Sequence, residues 1–232
     1  MLHVDLHSHT RYSADARTEP RDLVERAREA GLDRIAVTDH GTIEGALVAR
    51  DAAPELVIVG EEIRCRCRTE LIGLFLRERV PQRLSLEETV ERIRDQGGLV
   101  YAPHPYAYAR QALRRAHRAL GVADVVEAVN ARAFLPLWNQ AAMQAARRRG
   151  LPAAAGSDAH FPFEIGRAFA HMPAFRTAEE FRRALPAARP MRTRATSPFL
   201  HVASLGLKCG RVALEWTSEG GRLTSARPVT AD

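Results

Sequence analysis

The sequence predicts an α/β chain built on a parallel sheet, either open and doubly wound or closed into a barrel, on three observations. Short apolar stretches alternate with helix-like stretches about seven times along the chain, the pattern of repeated β-then-α units. The 232 residues, 46% of them hydrophobic, suffice for one sizeable core. Imidazoles and carboxylates gather just after the strands, where a parallel α/β fold collects its loops.

Taken in order, residues 2–6 read as the first strand, and alternation makes His7 and His9 point the same way with Ser8 between them. A helix over 19–30 follows a Thr18 cap, carries Pro20 in its first turn and stops at Gly31. Residues 34–38 and 56–59 are short buried strands. Ser85 and Glu88 form a capping box that opens a helix ending at Gly97-Gly98. Strand 99–102, helix 109–120, strand 125–129, helix 137–149 and strand 152–155 continue the alternation, and residues 169–172 with 178–185 repeat it. Past about Pro190 the pattern fades. One main domain is expected over residues 1–190, with 191–232 as an extension that packs on it or turns back as a hairpin through residues 212–216 and Gly220-Gly221.

Composition narrows the setting. No apolar run approaches the 18 or so residues of a membrane span, and the chain opens without a charged and apolar leader, so a soluble cytoplasmic protein with no membrane partner is expected. Cys65, Cys67 and Cys209 are too few and odd in number for a disulfide framework. Cys65-Arg66-Cys67 has the look of a metal half-site, but no second thiol pair completes it, and alternation within a strand accounts for it. The net charge of +6 and a pI near 9.9 come almost wholly from arginine, since Lys208 is the only lysine. Aromatics are 6% and are not interleaved with Arg114-Arg115, Arg147-Arg148-Arg149 or Arg182-Arg183, which argues against a nucleic-acid stacking platform.

Position then selects the chemistry. His7 and His9 end the first strand, Asp39 and His40 the second, Glu61 and Glu62 the third; His104 follows strand 99–102, Glu127 and Asn130 finish the next, and Asp158 and His160 follow 152–155. Five of nine histidines therefore fall on one rim together with several carboxylates. Without a nucleophile elbow or a glycine-rich phosphate loop, such a rim suits borderline divalent metals.

These residues resemble a known family. DLHSHT (5–10), TDHG (38–41), GEEI (60–63), PHP (103–105) and GSDAH (156–160), in this order, look like the polymerase and histidinol phosphatase family, the PHP domain, over roughly residues 1–190. The resemblance implies a distorted (β/α)7 barrel with two or three divalent ions, manganese, iron or zinc, at its carboxyl-end rim. By it, His7, His9, Glu62 and Asp158 hold a first ion, Glu62 bridges to a second that His104 also binds, and Asp15, His40 and His160 hold a third. Asp15 comes six residues after His9, where many members have five, and Ala14 occupies the other register. Many members also carry a histidine where this chain has Glu70, in Glu70-Leu71-Ile72-Gly73. Either Glu70 is a harder oxygen ligand that favours manganese or iron over zinc, or the ligand is lost and the site holds two ions.

The implied reaction is hydrolysis of a phosphate ester by water that the ions activate, with Asp158 and His160 as proton carriers. Arginine is the natural phosphate clamp; Arg110, Arg132 and Arg167 follow rim motifs, and Arg167 after Gly166 is the first choice. Asp5, Asp39 and Glu127 are expected to orient the ligating imidazoles. The expected substrate is a small phosphorylated metabolite or a nucleotide. The alternatives are an exonuclease acting on short nucleic-acid ends and a non-catalytic, metal-stabilised scaffold. Tyr106, Tyr108, Phe134 and Trp138 stand in the loops that would select a substrate.

Overall fold

The apolar quartets of the sequence become strands of a mixed sheet that wraps almost onto itself. The computed structural model describes residues 1–107, 112–197, 199–200 and 202–209. The strands are β1 (Leu2–Asp5), β2 (Arg34–Val37), β3 (Val57–Arg64), β4 (Glu70–Leu74), β5 (Leu99–Ala102), β6 (Val125–Asn130), β7 (Ala153–Gly156), β8 (Ala168–Met172) and β9 (Arg189–Arg192). The helices are α1 (Pro20–Glu29), α2 (Glu44–Ala52), α3 (Leu86–Asp95), α4 (Ala112–Val122), α5 (Pro136–Arg149) and α6 (Ala178–Ala184). Among the described residues the order is β7-β6-β5-β4-β3-β2-β1-β8-β9. The segment after β1 also bonds to β7 and the turn beyond it. Leu6 N donates to Ala155 O at 3.2 Å, Asp158 N to His7 O at 2.8 Å and His9 N to Ala159 O at 2.8 Å. The edge strand β7 therefore meets the segment after β1 at this rim, giving the expected α/β, barrel-like architecture.

Two apolar layers follow from strand alternation. Val4, Leu6, Ala36, Ile58, Ile72, Tyr101, Val125 and Ala154 meet inside the sheet, with Phe175 and Phe181 packed against them. Leu23, Val24 and Ala27 of α1, with Ile93 of α3, pack on strand residues such as Ile35, Val37 and Ile63. On β3 the inward column runs Ile58, Gly60, Glu62, and its last residue lifts a carboxylate from apolar interior to rim. The Ser85–Glu88 capping box of α3 forms as expected, Glu88 N donating to Ser85 Oγ at 3.1 Å and Ser85 N to Glu88 Oε2 at 2.9 Å.

Four expectations need correction. The sheet is not uniformly parallel: β3–β4, β4–β5, β1–β8 and β8–β9 pair antiparallel. Only five residues join β3 to β4, too few for the crossover that a parallel pair needs. Cys65 and Cys67 lie in that turn rather than alternating along a strand, with Cys65 N donating to Thr69 O at 2.9 Å and Arg68 in the left-handed region at φ 63°. Thr18 does not cap α1, which starts at Pro20 behind an extended Glu19 that offers no side-chain cap. Between β2 and β3 the structure has α2; its buried face is Gly45, Ala46 and Ala49, too small to give the apolar periodicity that identifies a helix. No helix among the described residues is long and apolar enough to cross a membrane. Tyr108, Arg110, residues 212–216 and the Gly220-Gly221 turn lie outside the described residues.

Gly156 ends β7 where the barrel closes, and a Cβ there would fall on His7 Cβ and Glu127 Oε1. Gly156→Ala is therefore expected to cost about 1–3 kcal/mol through overpacking, a Tm lower by roughly 2–12 °C. A melt followed by circular dichroism checks this, and an unchanged Tm contradicts the close approach.

Candidate metal centre

Glu62 is the centre of the site. Its Oε2 lies 3.4 Å from His7 Nε2, 3.4 Å from His9 Nε2 and 3.1 Å from His40 Nδ1, and its Oε1 lies 3.3 Å from His104 Nε2. Asp158 Oδ1 closes the other side, 3.6 Å from His7 Nε2, 3.4 Å from His9 Nε2 and 3.5 Å from His160 Nδ1. Asp15 completes the outer part: its Oδ2 lies 3.4 Å from His40 Nε2, its Oδ1 3.7 Å from His160 Nε2. Ligand atoms of Glu62, Glu70 and His104 converge within 4.8 Å of one another, as do those of His7, His9 and Glu62, of His7, His104 and Asp158, and of His9, His40 and His160. All nine expected ligands are thus brought to one rim, Asp15 and Glu70 included.

The surrounding groups fix which ring nitrogens face inward. His7 Nδ1 lies 3.0 Å from Glu127 Oε1, His9 Nδ1 3.2 Å from Ser13 Oγ and His160 Nδ1 2.8 Å from Asp158 O. Each Nδ1–H has an acceptor, which leaves each Nε2 lone pair for the centre. Ser13 is itself set by Asp39: its hydroxyl donates to Asp39 Oδ1 at 2.7 Å and accepts from His40 N at 3.0 Å. Glu127 also accepts from His104 N at 2.6 Å and Asn130 Nδ2 at 3.0 Å. Asn130 reaches Asp158 Oδ2 as well, at 3.2 Å.

The electrostatics fit a cation. His7 and His9 present their Nε2 atoms to each other at 3.0 Å, with Glu62 and Asp158 against both, a donor set that a shared divalent ion satisfies. In the protein alone, protons supply that charge. Burial opposes the charged forms, but Glu62 and Asp15 raise His40 to about 9, and Glu62, Asp158 and Glu127 do the same for His104. Burial likewise disfavours charge on Glu62 and Asp158, yet the neighbouring imidazoles hold both carboxyls well below their ordinary range. His160 is pushed the other way, well below the ordinary imidazole value, by burial and then by His9.

Other expected residues fall differently. Arg167 is not brought into the cluster: its Nη1 donates to Thr196 Oγ1 at 3.4 Å and its guanidinium lies over the Phe163 ring. Arg132 lines the cleft instead. Asp5 orients backbone rather than imidazole, accepting from His7 N, Ser157 N and Gly166 N at 3.3, 2.9 and 3.2 Å; burial pushes its carboxyl up to about 6. Glu127 lies against the His7 ring, and Asp39 reaches the His9 ring through Ser13. The sequence reading passes over Ser13, four residues after His9 on the turn that carries Asp15, and over Lys208, which donates to Asp15 Oδ2 at 3.0 Å.

Comparison with known proteins agrees with this geometry. The PHP-domain profile matches residues 5–97 and a PHP-associated profile matches residues 136–190. Two Methanocaldococcus jannaschii proteins, both named uncharacterized, are 41% identical over 125 residues (48% of this chain, 72% of the relative) and 33% identical over 174 residues (72% and 69%). A 53-residue stretch is 45% identical to a PolC-type DNA polymerase III of Thermotoga maritima, covering 22% of this chain and 4% of the polymerase. Among solved structures, a two-domain Bacteroides vulgatus protein containing a predicted PHP-like metal-dependent phosphoesterase superposes with a TM-score of 0.65 at 19% identity, over 88% of this chain and 69% of that one. A lesion-specific endonuclease of Pyrococcus furiosus superposes with a TM-score of 0.56 at 19% identity, over 82% and 57%. At these identities the structural likeness is one of fold.

Two outcomes follow. Ser13→Ala removes the acceptor that orients His9 and is expected to weaken manganese binding about 10–100-fold; titration of the chelator-treated protein measures it, and unchanged affinity contradicts the assignment. Because His40 and His104 sit near 9 when folded against about 6.5 unfolded, their stabilisation is complete below about pH 6.5 and is lost as pH rises to about 9. The Tm of the chelated protein should fall across that window. Manganese, taking the place of the protons, should flatten the slope, whereas equal slopes with and without metal would count against a cation at Glu62.

Proposed function

We propose that this chain, a member of the PHP-domain family, is a hydrolase that cleaves the phosphate ester of a small phosphorylated metabolite or nucleotide with the help of two or three divalent ions. The single observation that carries this is the Glu62 carboxylate shared by His7, His9, His40 and His104 at 3.1–3.4 Å. His7, His9, Glu62 and Asp158 would hold one ion, Glu62, His104 and Glu70 a second, and Asp15, His40 and His160 a third. Bound ions supply Lewis acidity: they bring water toward ionisation near neutral pH and offset charge growing on a phosphoryl group. With Glu70 among the ligands, the oxygen-rich second position favours manganese or iron over zinc.

The chain's own residues do the rest. Asp158 Oδ1, on the cleft wall, would take the proton from an attacking water and return it to the leaving oxygen, with His160, whose Nδ1–H donates to Asp158 O at 2.8 Å, fixed beside it. Asn130 Nδ2 donates to Asp158 Oδ2 at 3.2 Å, so the carboxylate stays aimed at the cluster. The cleft, about 250 Å³, is lined by Asp15, His40, Glu62, His104, Arg132 and Asp158 among others, with Arg132, not Arg167, the guanidinium on its wall. Residues 1–190 would carry this machinery, and of the rest Ser204, Leu205 and Lys208 line the cleft.

The second reading, an exonuclease acting on short nucleic-acid ends, draws on the polymerase stretch alone. One assay set separates the readings: protein loaded with manganese, iron or zinc, given p-nitrophenyl phosphate, bis-p-nitrophenyl phosphate, nucleoside mono- and bisphosphates and a labelled single-stranded oligonucleotide. Release of inorganic phosphate from small esters is expected, lowered roughly 10²-fold or more by His9→Ala. Stepwise oligonucleotide digestion without small-ester turnover would favour the nuclease. Tight metal with no hydrolysis, or His9→Ala as active as the parent, would leave a scaffold.

A further inference from the structure

The one lysine of the sequence stands at the mouth of the cleft. Lys208 Nζ lies 3.0 Å from Asp15 Oδ2, and with Ser204 and Leu205 it lines the same wall as His40, Glu62, His104 and His160. The described residues before it are tied down at several points. Thr193 N and Arg194 N donate to Arg167 O at 2.9 and 3.3 Å, and Thr196 N donates to Ala131 O at 2.8 Å. Arg132 Nη2 then donates to Leu200 O at 3.1 Å and Ser204 Oγ at 3.0 Å. Residues 202–209 are helical, so Ser204 and Lys208, four apart, share a face. Pinning Ser204 at Arg132 aims Lys208 at the cluster one turn later.

We propose that Lys208 is a substrate-binding residue that receives the non-bridging oxygens of a terminal phosphate. This rests on the phosphoesterase reading. In the protein alone the ammonium pairs with Asp15. Once divalent charge sits beside Asp15, ammonium and cation repel, and Lys208 needs another anion within reach. A phosphoryl dianion in the cleft meets that need, and the lysine side chain, 49% exposed, is free to swing toward it. An ammonium also suits this position better than the guanidinium found at the chain's 33 other cationic side chains, being a compact point charge on a flexible stem.

The test compares Lys208→Met and Lys208→Arg with the parent in manganese-loaded protein, reading the Kd of inorganic phosphate by calorimetry, kcat and KM for p-nitrophenyl phosphate, Tm and bound manganese. For Lys208→Met, phosphate Kd and KM should rise about tenfold or more, with kcat changing less and metal content and Tm held; Lys208→Arg should recover part of the loss. In the parent, pyridoxal phosphate should condense with the Lys208 amine, expelling water to form an imine that borohydride reduces, and inorganic phosphate should protect that peptide. Unchanged Kd and KM, or altered manganese binding with unchanged KM, overturns the assignment and leaves the hydrolase reading standing. Lys208-dependent phosphate binding without hydrolysis of any ester supports the assignment and overturns the hydrolase reading. A parent that neither binds phosphate nor hydrolyses esters overturns both.

Discussion

A buried carboxylate facing four imidazoles is the constraint on which the rest of this structure depends. Glu62 is 3% exposed, and a charge so placed is costly unless compensating charge lies against it. Its partners supply that compensation only when they carry protons or hold a cation, so the site is a cation receptacle by electrostatics as well as by donor type. The backbone bends to maintain it. His104 and Asp158 occupy positive φ, 26° and 54°, a conformation that costs side-chain-bearing residues of order 1–3 kcal/mol each. Backbone bonds accompany both turns: His104 N donates to Glu127 Oε2 and Asp158 N to His7 O.

The groups behind the ligands matter as much as the ligands. Glu127 is fully committed, one oxygen to His7 Nδ1 and the other to His104 N and Asn130 Nδ2, so one side chain sets a ring and a loop on two different strand ends. Asp39 works at one remove: it holds Ser13, and Ser13 accepts from the ring of His9 and the amide of His40. Asp5 anchors the loops after β1 and β7 through three backbone amides. Misplacing any of these would rotate imidazoles whose donor atoms must converge within an ångström or so, and a metal position is sensitive to that scale.

Most of the candidate ligands were legible in the sequence because strand ends are legible: a short apolar quartet followed by His or Asp places the side chain on the rim, whereas Asp15 and Glu70 came only from the resemblance. What sequence missed had no such signature. α2 buries glycine and alanine, which carry little periodic signal. Strand direction for β4 and β8 depends on which neighbours they meet across the sheet, a long-range fact. Arg167 follows a rim motif, yet its guanidinium is drawn to Phe163 and Thr196, and in a chain so rich in arginine neither spacing nor residue type separates it from Arg132. Lys208 lies 193 positions from Asp15, and only the folded chain shows that they meet.

The departure at Glu70 follows from the same hairpin that broke the parallel pattern. In an antiparallel pair, directly opposed residues share a face, and Glu62 opposes Ile72 while Arg64 opposes Glu70; two residues apart on β4, Glu70 and Ile72 therefore face the same way as Glu62. Glu70 is the diagonal neighbour of Glu62, one step nearer the rim. A shift of one residue in this register would turn Glu70 outward and bring Leu71 to the inner face, so the register alone decides that a second carboxylate, and not an aliphatic side chain, stands beside His104. Two carboxylates and one imidazole form a harder donor set than the mainly imidazole group around His9. The rim thus holds two unlike donor groups, one nitrogen-rich and enclosed, one oxygen-rich beside the cleft.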